Sequence, residues 1–192
     1  MASAMGVLAL ATLGLTASAA AQPKRGQFIG GEVGYGLSAP YQDDAGSDGH
    51  GGLVQAEYTY APNAWVGVRP YAAVIVTWPD SVDGRCESAE LAWDCEVTAQ
   101  GLMLGGKGRL AIPIPYVAPF LELGMGATLG SVTTRTFSEN HQVTGALVHI
   151  PVTLGVAIGE DHDFELAFAY YFHPAARQFN GGITCGMSFR LE

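Results

Sequence analysis

The segment Asp163–His173, DFELAFAYYFH, alternates between two kinds of side chain along its whole length. Phe164, Leu166, Phe168, Tyr170 and Phe172 take its even positions; Asp163, Glu165, Ala167, Ala169, Tyr171 and His173 take the odd ones. Successive side chains of a β-strand point to opposite faces, so this segment has one wholly apolar face and one polar or small face. In a soluble sandwich such an apolar face meets a second sheet. In a membrane barrel it meets lipid. The other segments and their connections distinguish the two.

Working outward, residues 27–37 set Ile29, Val33, Tyr35 and Leu37 against Gly30, Glu32, Gly34 and Gly36. Residues 53–60 set Val54, Ala56, Tyr58 and Tyr60 against Gln55, Glu57 and Thr59. In 65–78, Val66, Val68, Ala72, Val74, Val76 and Trp78 oppose Arg69, Tyr71, Ala73 and Thr77. Pro70 removes one ladder hydrogen bond there, which predicts a bulge or other irregularity. Residues 97–110 oppose Leu102, Leu104 and Leu110 to Met103, Lys107 and Arg109. Residues 117–130 oppose Val117, Leu121, Leu123, Met125 and Leu129 to Glu122, Gly124, Gly126 and Thr128. In 142–158, Val148, Ile150, Val152, Leu154, Val156 and Ile158 oppose His149, Thr153 and Gly155. The last strand, 183–191, puts Cys185 on the apolar side with Ile183 and Met187.

Short connections at 61–64, 111–116 and 159–162 alternate with longer ones at 38–52, 79–96, 131–141 and 174–182. Outer-membrane barrels have short periplasmic turns and longer outer loops, whereas a sandwich has no reason to sort its loops by end. Glu32, Glu57, Arg69, Lys107, Arg109, Glu122, His149, Glu165, His173 and Arg190 all fall on the inward phase. A charge facing lipid at the midplane costs roughly 2–4 kcal/mol, which is the physical reason for that sorting. Tyr58, Tyr60, Phe164 and Phe189 near one rim, and Trp78, Tyr170 and Phe172 near the other, fit aromatic girdles. The expected fold is all-β: an eight-stranded antiparallel up-and-down transmembrane β-barrel over residues 22–192, in the bacterial outer membrane.

This pattern resembles the small eight-stranded outer-membrane proteins of the OmpX and OmpA barrel type over about residues 27–191. The likeness is one of architecture, not of a short motif. It implies an aromatic residue at the end of the chain. Here the chain ends Phe189-Arg190-Leu191-Glu192, with the aromatic displaced.

Composition sets further bounds. Glycine is abundant, at 26 of 192 residues, and charged residues make up only 14%. The formal net charge of −9 excludes nucleic acid, because phosphate binding needs a basic surface. Residues 1–21 carry the run VLALATLGL before Ala19-Ala20-Ala21 and read as an export signal peptide, a short membrane anchor being the alternative. Export places the cysteines in an oxidising compartment. Cys86 and Cys95, close together in a polar segment, are then expected to form a disulfide, with Cys185 free.

Inside the barrel, Glu32, Glu57, Glu122 and Glu165 are expected to pair across the lumen with Arg69, Lys107, Arg109 and Arg190. An eight-stranded barrel is about wide enough for side chains to fill, so these eight groups predict an ionic plug. Inward positions of the other half are small or apolar, including Gly34, Gly36, Ala73, Ile75, Ala99, Gly101, Gly124, Gly126, Ala169 and Gly186. They predict either a shallow cavity open to the outside or tight backbone packing.

Motifs for chemistry are weak. Gly101–Gly108, GLMLGGKG, nearly matches a phosphate-binding loop, but Gly108 replaces the metal-binding hydroxyl and no helix should follow. Asp44–Gly49 lacks the ligand spacing of a calcium-binding EF-hand. Asp43, Asp44 and Asp48 remain a candidate loop site for a divalent cation. Lipid A deacylases are barrels of similar size with a His and a Ser two residues apart; here the run is His173-Pro174-Ala175, without the nucleophile. The expected function is that of a non-enzymatic surface or structural protein, surrounded by outer-membrane lipid, with acidic outer loops that bind ions or a surface partner. It needs no cofactor, catalytic residue or oligomer. The alternatives are a lipid-modifying enzyme of the deacylase kind and a narrow porin-like channel.

Overall fold

In the computed structural model, which describes residues 25–41, 48–79, 85–86, 93–94, 96–135 and 140–191, each alternating segment forms a strand. The first three are β1 (Gly26–Pro40), β2 (Gly49–Ala61) and β3 (Val66–Pro79). β4 (Arg85–Cys86) and β5 (Trp93–Asp94) pair as a small separate hairpin. Then come β6 (Glu96–Ala111), β7 (Val117–Arg135), β8 (Asn140–Ile158), β9 (Phe164–His173) and β10 (Gln178–Leu191). Residues 1–21, Asp43, Asp44 and Cys95 lie outside the described residues.

Apart from β4 and β5, the strands close into an antiparallel barrel in the order β1-β10-β9-β8-β7-β6-β3-β2. Closure is made by β1 and β10, paired from Gln27↔Leu191 to Pro40↔Gln178. Each barrel strand thereby gains two neighbours, and its backbone polar groups are satisfied without water. Pro70 interrupts the β2–β3 ladder between Glu57↔Tyr71 and Tyr60↔Val68 without shifting its register. The irregularity is a gap in pairing and not a bulge.

Chain chemistry sets the turns. Asn63 Oδ1 accepts from the backbone amides of Trp65 and Val66 at 2.9 and 3.0 Å, which closes β2 onto β3. Gly159 stands at φ 108° and His162 at φ 55° between β8 and β9.

Outward residues form the lipid face. Met125 is 72% exposed, and Leu123 and Leu110 are each 60% exposed. Between the rims, no Asp, Glu, Lys or Arg faces outward among the described strand residues. At the outer end this apolar belt stops near Leu102 and Leu129, which pair with each other.

Beyond the belt the structure departs from the expected loop lengths. The connection expected at 174–182 is short: β10 begins at Gln178, and the link is a single 3-10 turn, Pro174–Ala176, with Arg177 at φ 48°. The connection expected at 131–141 is mostly strand, with Ser131–Arg135 paired against Asn140–Thr144. Those five residues per strand extend the sheet by roughly 16 Å along the strand direction, at about 3.3 Å per residue. β6 reaches the same height, since Glu96 pairs with Arg135. The asymmetry between the two ends therefore lies partly in strand length.

Candidate functional site

The inward face of the barrel holds two polar layers with different chemistry. The layer toward the short turns is ionic and centred on Arg69 of β3. Its guanidinium donates from Nη1 and Nη2 to both oxygens of Glu165, at 2.9 and 3.1 Å, and from Nε to Thr59 Oγ1 at 3.0 Å. Nη1 also lies 2.9 Å from Glu57 Oε1, 3.0 Å from Glu122 Oε1 and 3.7 Å from Glu32 Oε1. Arg109 Nη1 sits 3.0 Å from Glu165 Oε2, and Lys107 Nζ sits 2.8 Å from Glu122 Oε2. The Arg109 guanidinium lies 3.7 Å from the centre of the Phe120 ring, a close cation–π contact.

Strand pairing places Arg69 beside Lys107, two like charges. The arrangement holds because Glu122 reaches both from β7. Charged hydrogen bonds of this kind are strong only while every partner is present, since each lost partner leaves a charge stranded out of water.

The outer layer is neutral. Tyr71 Oη bonds His149 Nε2, His149 Nδ1 bonds Thr128 Oγ1 at 2.8 Å, and Thr128 Oγ1 bonds His173 Nε2 at 2.7 Å. Asn180 Nδ2 approaches His173 Nδ1 at 2.9 Å, while Asn180 Oδ1 accepts from Ser38 and Gln178, both at 2.7 Å. Leu53, Ile75, Met103, Val132, Leu147 and the two tyrosines Tyr71 and Tyr171 fill the space around this chain. Tyr171 links the layers: its hydroxyl donates to Gln55 at 2.7 Å, and Gln55 Nε2 donates to Glu57 at 2.9 Å.

Small inward residues are what make room for these large ones. A Cβ on Gly126 would stand 2.5 Å from His149 Nε2, and one on Gly105 would stand 2.8 Å from the Tyr71 hydroxyl. Gly126 and Gly105 are thus complementary to a histidine and a tyrosine reaching across from other strands, whereas Gly186 and Gly124 lie beside Glu32 and Lys107 of the ionic layer.

Of the eight charges expected to meet, the structure brings together Glu32, Glu57, Arg69, Lys107, Arg109, Glu122 and Glu165. Arg190 is the correction. It is exposed at the rim, with its guanidinium 5.4 Å from the centre of the Phe28 ring, away from the cluster. Its phase is inward, but it is the penultimate residue of β10 and stands too close to the barrel end to reach the others.

His173 is fully buried on the inward face, so it does not stand at the lipid boundary. Gly101–Gly108 is strand within β6, with Lys107 committed to Glu122. Cys185 is free and exposed on the lipid face. The backbone pairs Cys86 with Trp93. Asp48 is exposed.

Three contributors escape a reading by sequence pattern. His162, in a turn, is 1% exposed and lies 3.0 Å through Nε2 from the Ile114 carbonyl, tying two turns together. Alternation carries no signal for a residue outside a strand. Gln178 and Asn180 do continue the inward phase of Thr184, Gly186 and Ser188, a signal obscured by the turn-forming Asn180-Gly181-Gly182.

Comparison with known proteins agrees with this architecture. The family described as outer membrane protein beta-barrel domain matches residues 7–172. No curated protein matches the chain. Among solved structures, Neisserial surface protein A is similar with a TM-score of 0.52 and 9% identity, over 86% of this chain and 97% of that one. OprG of Pseudomonas aeruginosa is similar with a TM-score of 0.51 and 14% identity, over 88% and 98%. The N-terminal barrel of OprF from Pseudomonas aeruginosa gives 0.50 and 8%, over 86% and 98%. At these identities the likeness is one of fold. The closed antiparallel barrel, its apolar belt and the family match make this chain a member of the outer membrane protein β-barrel family, resident in the bacterial outer membrane.

Proposed function

We propose that the protein is a non-enzymatic surface or structural barrel that acts through its outer end, as a single chain. The observation that carries this reading is the filling of the lumen by the ionic layer and the tyrosine–histidine layer. A transport path would have to displace buried charges, and His173 is held by Thr128 and Asn180 away from any lipid substrate. Polar surface for a partner is offered by the outer connections and by the part of β6, β7 and β8 that rises past the belt.

Those outer segments are acidic. They contain Asp43, Asp44, Asp48, Asp80, Asp83, Glu87, Glu90, Asp94, Glu96 and Glu139 against Arg85, Arg135 and Arg177. Such a crown favours divalent cations or a basic partner. Asp43, Asp44 and Asp48 are the proposed cation ligands, and a Cys86–Cys95 disulfide is proposed to brace the neighbouring connection.

The test is calcium titration of the refolded protein in lipid vesicles, followed by calorimetry. We expect saturable binding that Asp43→Asn/Asp44→Asn/Asp48→Asn weakens at least tenfold. Fatty-acid release from lipid A by the purified protein, abolished in His173→Ala, would replace this reading with the enzyme.

A further inference from the structure

The ionic layer does not balance. Glu32, Glu57, Glu122 and Glu165 face Arg69, Lys107 and Arg109, and each of the seven is at most 7% exposed. Among the described residues, four carboxylates face three cations, in a lumen walled by β-sheet and lipid. An uncompensated charge in such a place costs several kcal/mol.

Geometry locates the surplus. Glu57, Glu122 and Glu165 each have a cationic nitrogen within 3.0 Å. Glu32 does not. Its nearest cation is Arg69 Nη1 at 3.7 Å. Thr184 donates to its Oε2 at 3.0 Å, and its buried Oε1 has no hydrogen-bond partner. Oxygens of Glu32, Glu57 and Glu165 all lie within 4.8 Å of one another. A bound metal ion would also gather carboxylates this way, but Arg69 Nη1 already stands among them.

We propose that the folded barrel binds one proton in its lumen, on Glu32, which makes the ionic layer neutral. A hydroxyl at Oε1 turns an acceptor-only group into a donor toward the neighbouring Glu57 or Glu165 oxygen. The groups that face it are Glu57 from β2, Arg69 from β3, Lys107 and Arg109 from β6, Glu122 from β7, and Glu165 and Tyr171 from β9. β10 presents Thr184; β8 presents Thr153 and, one layer outward, His149. Loss of the proton adds a fourth carboxylate around the Arg69 guanidinium and loosens the layer toward the short turns. The sealing of the barrel is therefore coupled to pH and weakens as pH rises. This holds whatever the outer end binds.

Infrared titration of the refolded full chain in detergent tests it. At neutral pH the wild type should show the carbonyl band of one protonated carboxylic acid per barrel, shifting in heavy water and disappearing in base. Glu32→Gln should refold, because an amide mimics the neutral acid, and should lack the band. Its thermal midpoint should stay level where that of the wild type falls, from the ordinary carboxylate range up to the pH at which the band disappears. Absence of the band in the wild type overturns the proposal, independently of how any variant folds. So does persistence of the band in Glu32→Gln, or failure of that variant to refold while Glu57→Gln does. A midpoint raised by calcium in the wild type but not in Glu32→Gln would assign the surplus to a metal ion and likewise overturn it.

Discussion

The two halves of the lumen solve one problem by different means. Both must fill a narrow space with groups that need partners. The half toward the turns uses six ionisable groups gathered around Arg69, whereas the outer half uses a chain of Tyr71, His149, Thr128, His173 and Asn180 set in apolar packing. A neutral hydrogen bond lost from a buried chain costs about 1–3 kcal/mol. A buried charge deprived of its partner costs about 3–5 kcal/mol. The ionic half should therefore be the more specific and the more brittle.

The largest effect is expected from Arg69→Leu, which leaves Glu57 without a cation and leaves Glu122 and Glu165 to Lys107 and Arg109 alone. We expect a loss of about 3–5 kcal/mol or failure to refold, measured by urea unfolding in lipid and by the gel shift of heated against unheated samples. In planar bilayers the wild type should give no steady single-channel conductance. Arg69→Leu/Arg109→Leu, where it inserts, should be leaky. A reproducible open channel in the wild type would break the contrast outright and favour a pore.

Tyr71→Phe probes the neutral half. It removes the hydroxyl partner of His149 Nε2 and keeps the ring. We expect a cost of about 1–2 kcal/mol by the same unfolding measurement, with no conductance. A loss as large as that of Arg69→Leu would show that the two halves do not differ in kind.

Arg190→Ala should have the smallest effect, at most about 1 kcal/mol, because it gives up a rim cation–π contact with Phe28. It should leave the bilayer behaviour unchanged. Leakiness in this variant would place Arg190 functionally with the cluster after all.

These contrasts also explain what a linear reading reached. Phase was legible in every strand, because alternation is local and lipid penalises a charge on the wrong side. The depth of a residue was less so: Arg190 has the inward phase of Glu32 and Glu165 but not their level. The small inward residues of the outer half were legible as small. What occupies the space they leave was not, since Gly126 meets His149 and Gly105 meets Tyr71 from other strands.

From the chain alone came the strands, their inward and outward faces, the apolar belt and eight charges of inward phase, Arg190 among them. Those follow from a period of two and from the cost of charge in lipid, and both act through neighbouring residues. Only the tertiary structure decided which charges touch. Arg69 and Glu165 stand 96 positions apart and meet at 2.9 Å because β1 and β10 close the barrel in one register, which fixes the height of every strand. The same closure leaves Arg190 at the rim and Glu32 without a cation at hand. Sequence periodicity is blind to both outcomes, because the level at which a strand sits is set by its partners across the barrel.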